Sequence, residues 1–168
     1  MLYVVVLGVA TRAGAQTPAP TIPPDSSRFL PRYNFHIAVA ALSVDDPRFS
    51  WDAHAGGDLD LVDYVHGRLN VLADYEVELG NEFRPFDPNQ GNYTLEASAS
   101  VRVRGTEFAG VFHHVSRHLS DRPKEFSVDW NVVGARVLRR VAAGNWIVDM
   151  HAGAGAVVNH HYVDYRWI

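Results

Sequence analysis

Asn92-Tyr93-Thr94-Leu95-Glu96-Ala97-Ser98-Ala99-Ser100-Val101-Arg102-Val103-Arg104 alternates apolar and polar residues without interruption. Successive side chains of a β-strand point to opposite faces, so Tyr93, Leu95, Ala97, Ala99, Val101 and Val103 share one side, and Thr94, Glu96, Ser98, Ser100, Arg102 and Arg104 share the other. Residues 68–79 repeat the arrangement. Leu69, Val71, Ala73, Tyr75, Val77 and Leu79 lie opposite Arg68, Asn70, Asp74, Glu76 and Glu78, with Leu72 the single exception. Soluble sandwiches alternate too, but here the segments are long and one face carries ionised groups along much of its length. Roughly 9 to 11 tilted residues cross a bilayer in a transmembrane barrel, apolar outward and polar inward. The pattern predicts an all-β fold: an antiparallel up-and-down transmembrane β-barrel of about eight strands, complete or part of a larger barrel.

The rest of the chain fits that frame. Seven strands are expected near residues 34–44, 50–64, 67–79, 92–104, 106–117, 126–139 and 145–159, with an eighth beginning at His161. The connections alternate in length. Asp45–Phe49, Gly80–Gly91 and Arg117–Glu125 are longer and polar, whereas His66-Gly67, Gly105 and Val141–Gly144 are short. Outer-membrane barrels have short periplasmic turns and longer outside loops, so a periplasmic N-terminus puts all the longer connections outside. Trp51, Tyr64, Tyr93, Trp130, Trp146 and Tyr162 fall near expected strand ends, where aromatic girdles sit.

Ahead of the strands, the apolar run Leu2–Val9 and the small residues Ala13-Gly14-Ala15 read as a signal peptide over residues 1–15, with the mature chain starting near Gln16. Pro18, Pro20, Pro23, Pro24 and Pro31 mark residues 16–32 as an extended linker, which leaves 33–168 for the barrel domain. Removal of residues 1–15 takes away Arg12 and moves the formal charge from −4 to −5, against the basic footprint that nucleic-acid binding needs. The absence of cysteine excludes disulfides and thiolate metal sites.

The chemistry-bearing stretch is His113-His114-Val115-Ser116-Arg117-His118-Leu119-Ser120-Asp121-Arg122, which runs from the fifth strand into a longer loop. His114, Ser116 and His118 share a face, and a hairpin brings Glu125 and Asp129 back alongside. A hydroxyl, an imidazole and a carboxylate meeting there would suit nucleophilic catalysis. The alternative is that these groups only hydrogen-bond loop carbonyls and carboxylates. The face is open as well. If Phe108 and Phe112 face lipid, His114 and Ser116 meet the outer leaflet; if Ala109 and Val111 do, the pair plugs the lumen. Among the nine histidines, His114, His118 and His151 with Asp149 offer metal-type ligands. Yet the adjacent pairs His113-His114 and His160-His161 split across the strand, and no metal site or cofactor is expected.

The run His114-Val115-Ser116-Arg117-His118-Leu119-Ser120-Asp121 resembles the signature of a family of uncharacterised bacterial outer-membrane barrel proteins that carry His-x-Ser-x-His-Leu-x-Asp. That resemblance covers about the central two thirds of the chain. Phe86-Asp87-Pro88-Asn89-Gln90-Gly91-Asn92-Tyr93 has the form of a further family signature. His114-x-Ser116 is also similar to the His-x-Ser pair of the outer-membrane lipid A 3-O-deacylases, eight-stranded barrels that hydrolyse an acyl ester. This likeness implies Ser116 as nucleophile, His114 as base and Asp129 as acid, with Glu125 as substitute. Arg117-His118 departs from the run of small polar residues that follows the serine in that family.

Asp74, Glu76, Glu78, Glu96, Arg102 and Arg104, with Asn131, Arg139 and Asp149, are expected to line a lumen that they fill by pairing, since unpaired buried charges are costly. Carboxylates on the third strand and arginines on the fourth suggest cross-strand pairs. The expected function is a structural or passive barrel of the Gram-negative outer membrane, with membrane lipid as its partner. The alternatives are an outer-leaflet acyl-ester hydrolase and a soluble ligand-binding β-barrel.

Overall fold

The computed structural model describes residues 23–118, 126, 128–143 and 146–163. Seven strands form one antiparallel sheet in sequence order: β1 (Arg28–Ala41), β2 (Trp51–Asp63), β3 (Arg68–Gly80), β4 (Asp87–Val103), β5 (Thr106–His118), β6 (Val128–Ala143) and β7 (Trp146–His161). No helix occurs among the described residues. The sheet is not closed, and β1 and β7 are its edges. The expected signal peptide and the first part of the linker lie outside the described residues.

Several strand ends differ from the expected ones. β1 begins at Arg28 and so takes in Pro31. An edge strand tolerates a residue that cannot donate to a ladder, and the register shifts between Phe29 and Arg32 as the chain passes it. β4 begins at Asp87, so the Phe86–Tyr93 stretch is mostly strand rather than loop. His161 ends β7 instead of opening an eighth strand. Connection lengths still alternate: residues 42–50 and 81–86 make longer links, and 64–67 and 104–105 make tight ones. Arg104 and Gly105 both have positive φ (51° and 76°), the backbone of a two-residue hairpin turn.

The two faces have opposite chemistry, and the polar one is buried. Leu69, Leu95, Val101, Phe108, Phe112 and Val133 are exposed on the outer face, as are Phe35 (77%) and Ile37 (84%) on β1. The inner face holds thirteen buried polar residues against five buried apolar ones among the described residues. Leu72, the exception in the alternation of β3, is one of those five.

Ion pairs knit the inner face across neighbouring and next-but-one strands. Arg68 of β3 donates to Asp60 of β2 (3.1 Å) and to Glu107 of β5 (2.7 Å), with all three side chains at most 5% exposed. Arg102 of β4 forks onto Asp63 (2.8 and 2.7 Å), and Arg136 of β6 forks onto Glu96 (2.8 and 2.9 Å). Arg32 of β1 bonds Asp60 at 2.9 Å and also reaches Asp58. Bidentate guanidinium–carboxylate pairs are the arrangement that makes burying such charges tolerable.

The pairing differs from the expected one between the third and fourth strands. Antiparallel register sets Glu76 opposite Asn92 and Arg102 opposite Glu107, so the carboxylates of β3 and the arginine of β4 lie at opposite ends of the sheet. Asn131 and Arg139 of β6 belong to the phase of Val133 and Val137, which is the outer one.

Candidate functional site

β5 decides the location of the chemistry. Ala109 and Val115 are buried, while Phe108 and Phe112 are exposed. The small side chains therefore take the inner phase, and the phenylalanines take the outer one together with His114, Ser116 and His118. The alternation left both assignments open because both phases of β5 are largely apolar.

On the outer face, register brings a lateral row together. Tyr75 faces Tyr93, Tyr93 faces Ser116, Ser116 faces Asp129, and Asp129 faces His161. Directly opposed residues have Cβ atoms roughly 4.5–5.5 Å apart, so Ser116 and Asp129 are true neighbours. The imidazoles distribute differently from the expected triad. Ser116 Oγ lies 2.9 Å from His118 Nε2, not against His114. His114 Nδ1 instead meets Asn131 Oδ1 at 2.8 Å, and so donates to it. Asp129 holds His161 Nδ1 at 3.0 and 3.1 Å. The Tyr93 ring meets His118 edge-on at 5.2 Å and packs against Tyr75 at 4.6 Å.

Serine, aspartate and three imidazoles thus share a surface, but the serine's imidazole is His118 and the aspartate's is His161. His114 departs from the base role because its side chain reaches across to β6 one pleat away from the serine. Glu125, the alternative acid, lies outside the described residues. The other metal-type residues are dispersed. His151 and Asp149 sit on β7 opposite Leu138 and Arg140, and Asp149 is held by Arg140 at 2.6 and 2.7 Å.

Of the residues expected to line a lumen, Asp74, Glu76, Glu78, Glu96 and Arg102 all sit on the buried, polar phase of their strands. Arg104 departs from that set. It is exposed at the β4–β5 turn, where positive φ takes it out of the pleat. Trp130, expected in a girdle, shares the inner phase with Val115. On the outer face, Trp51 meets Phe86 at 6.0 Å, and Phe126 stacks on Tyr162 at 4.0 Å, both at the longer-loop end.

A second constellation, on the inner face near that end, comes from β1, β2 and β3. His54 faces Glu76 directly, and Asp52 follows on the same phase of β2. His54 Nε2 lies 3.1 Å from Asp52 Oδ2 and 3.7 Å from Glu76 Oε1, while its Nδ1 lies 3.2 Å from Asp74 Oδ1. His36 Nε2 reaches the other Asp74 oxygen at 2.6 Å. Gly56 faces Asp74, and a Cβ there would come within 2.7 Å of the Ala73 carbonyl oxygen, so glycine is what lets the strands and the carboxylate sit this close. The sequence signal was present in the even-numbered polar residues 52, 54, 58 and 60 of the second strand. It needed the β2–β3 register to become a site. No family model, curated protein or solved structure matches this chain.

Proposed function

We propose that this chain forms the wall of a β-barrel in the Gram-negative outer membrane, with a structural or passive envelope role and an interior filled by its own ion pairs. The observation that carries this reading is the inversion of polarity: charged side chains are buried on one face, and Phe29, Phe35, Ile37, Leu95 and Phe112 are left uncovered on the other. In water a contiguous apolar surface of that extent is an aggregation liability, whereas in a bilayer it is the solvated surface. Neighbouring strands satisfy one another's backbone polar groups through the ladder, and in lipid the free edges of β1 and β7 would have to be paired to close the barrel. Aromatic pairs at the longer-loop end suit an interface girdle. The soluble ligand-binding alternative needs an apolar cavity, and the inner face here is crowded with arginine–carboxylate pairs.

The test is refolding of residues 16–168 in detergent micelles, followed by far-UV circular dichroism and gel mobility with and without boiling. A β spectrum that requires detergent and a boiling-dependent mobility shift are expected. A β-rich chain that stays soluble without detergent would overturn the reading.

One observation favours a second reading, acyl-ester hydrolysis at the outer leaflet. Ser116 and His118 form a hydroxyl–imidazole contact of 2.9 Å on the outer face, beside Asp129. In that reading Ser116 is the nucleophile and His118, rather than His114, its base. Overexpression of the wild type would change the lipid A acylation pattern, and Ser116→Ala would abolish the change while leaving the strands folded. An unchanged lipid profile with wild type would sink it.

A further inference from the structure

We infer that Asp52, His54 and Glu76 bind one divalent transition-metal ion on the inner face of the β2–β3 hairpin, with Zn²⁺ the best match to the ligand set. The three ligand atoms lie within 4.8 Å of one another. Two of the separations are set by His54 Nε2, which lies 3.1 Å from Asp52 Oδ2 and 3.7 Å from Glu76 Oε1. Around a tetrahedral ion with bonds of about 2.0–2.2 Å, such atoms stand roughly 3.3–3.6 Å apart. Small side-chain movements would therefore seat an ion, with no change in the ladder.

The atoms that would not touch the metal are already held. His54 presents Nε2 to the carboxylates, and its other ring nitrogen is placed against Asp74, a carboxylate only 2% exposed that His36 also grips. Metal-bound histidines almost always have such a partner, because it fixes the ring and its tautomer. Glu76 shows the same division: Oε1 points towards His54, and Oε2 accepts from Asn92 Nδ2 at 2.6 Å. Asn92 is itself positioned by Arg117, whose Nε donates to its carbonyl at 3.1 Å. Asp52 adds an independent sign. Its Oδ2 faces His54, while its Oδ1 is inaccessible to solvent and has no hydrogen-bond partner. A buried acceptor left unmade is costly, and a carboxylate that swings to grip a cation with both oxygens removes that cost.

The surroundings agree in charge and access. Glu78 faces Asp52 across the hairpin, so four carboxylates, with Asp74, surround two imidazoles. His54, Asp52 and Glu76 each remain about a quarter to a third exposed, which gives an ion a path in and leaves room for water at the remaining positions. Ligand type selects the metal. Ca²⁺ and Mg²⁺ favour all-oxygen cages, whereas an imidazole with two carboxylates suits Zn²⁺ and its first-row neighbours. Sequence spacing hides the site because its ligands come from two strands and meet through register.

The experiment uses the full chain in whichever solvent gives a folded β spectrum, so a failure of the membrane reading and a failure of metal uptake are read separately. After chelator treatment, calorimetric titration with ZnCl₂ should give one ion per chain. Glu76→Gln should weaken binding at least tenfold, His54→Gln should remove it, and Asp74→Asn, which leaves all three ligands in place, should weaken it about 10- to 100-fold. Co²⁺ in place of Zn²⁺ should give visible absorption bands that His54→Gln abolishes. Glu76 is part-exposed and glutamine keeps its shape, so Glu76→Gln keeps the test alive if the His54 variant does not fold. The proposal falls if the folded wild type takes up no Zn²⁺, if Glu76→Gln binds as tightly as wild type, or if CaCl₂ competes on equal terms.

Discussion

Arg68 is the residue on which the inner face turns. It is 2% exposed and stands between Asp60 and Glu107, two carboxylates that are as deeply buried. Arg68→Leu would put a shorter, apolar side chain there and leave both acids short of a partner. Breaking a buried pair by removing one member costs about 3–5 kcal/mol. The low end applies here, because Arg32 still bonds Asp60 and Arg102 still lies 3.6 Å from Glu107. Guanidinium unfolding of the folded protein should show this as a lower midpoint at unchanged slope, and adding Glu107→Gln to Arg68→Leu should recover part of it. A midpoint equal to wild type would mean that the pairing contributes nothing. Outside the strands, Asp46 offers a different residue-scale test. A side-chain hydrogen bond from Arg48, then a backbone bond from the same residue, lowers its carboxyl from 3.8 to about 2. A lowered value favours the folded loop above the ordinary carboxylate range, and that contribution fades as pH falls through about 2. In Arg48→Ala, which keeps the backbone N–H of residue 48, the Asp46 carboxyl, followed by carbon-13 NMR, should titrate higher than about 2 but short of 3.8.

At the scale of strands, alternation is a statement about facing, and adjacent positions on β4 test it. Ala97 is exposed between Val71 and Phe112, the middle residue of β5, while Ser98 is on the inner phase opposite Val111. A lipid-facing charge near mid-depth costs about 2–4 kcal/mol, so Ala97→Arg should impair insertion, whereas Ser98→Ala should insert normally. Normal insertion of Ala97→Arg, measured by the boiling-dependent mobility shift, would remove the lipid-facing assignment of this side. The faces of β3 and β4 were legible in the sequence because charges occupy one phase and only Leu72 breaks it. β5 was not, because Phe108, Ala109, Val111 and Phe112 make both phases apolar; side-chain size within a curved sheet resolves it. The start of β1 was hidden by Pro31, which reads as linker unless the strand is known to be an edge. The outer-face site was legible in part. A hairpin was enough to put Asp129 beside Ser116, but which imidazole reaches which group depends on rotamers and on β7. There a register shift between Asn131 and Val132 brings His161, rather than His160, onto the outer face opposite Asp129.

The whole molecule has two distinguishable ends, and this gives the membrane reading a directional consequence. Residues 42–50 and 81–86 form the longer links at one end, and residues 64–67 and 104–105 the tight turns at the other. Short turns on the periplasmic side and longer loops outside are the rule for such barrels. The chain contains no cysteine, so a single introduced thiol reports one position without background. Val44 is exposed in the first longer link, and His66 is exposed in the first tight turn. In intact cells, Val44→Cys should react with a membrane-impermeant maleimide, and His66→Cys should react only after the outer membrane is permeabilised. Labelling of His66→Cys alone in intact cells would invert the orientation and place the Asp52–His54–Glu76 cluster at the periplasmic mouth. Equal labelling of both before permeabilisation would mean that no barrier separates the two ends, and the uncovered outer face would then need a cover other than lipid.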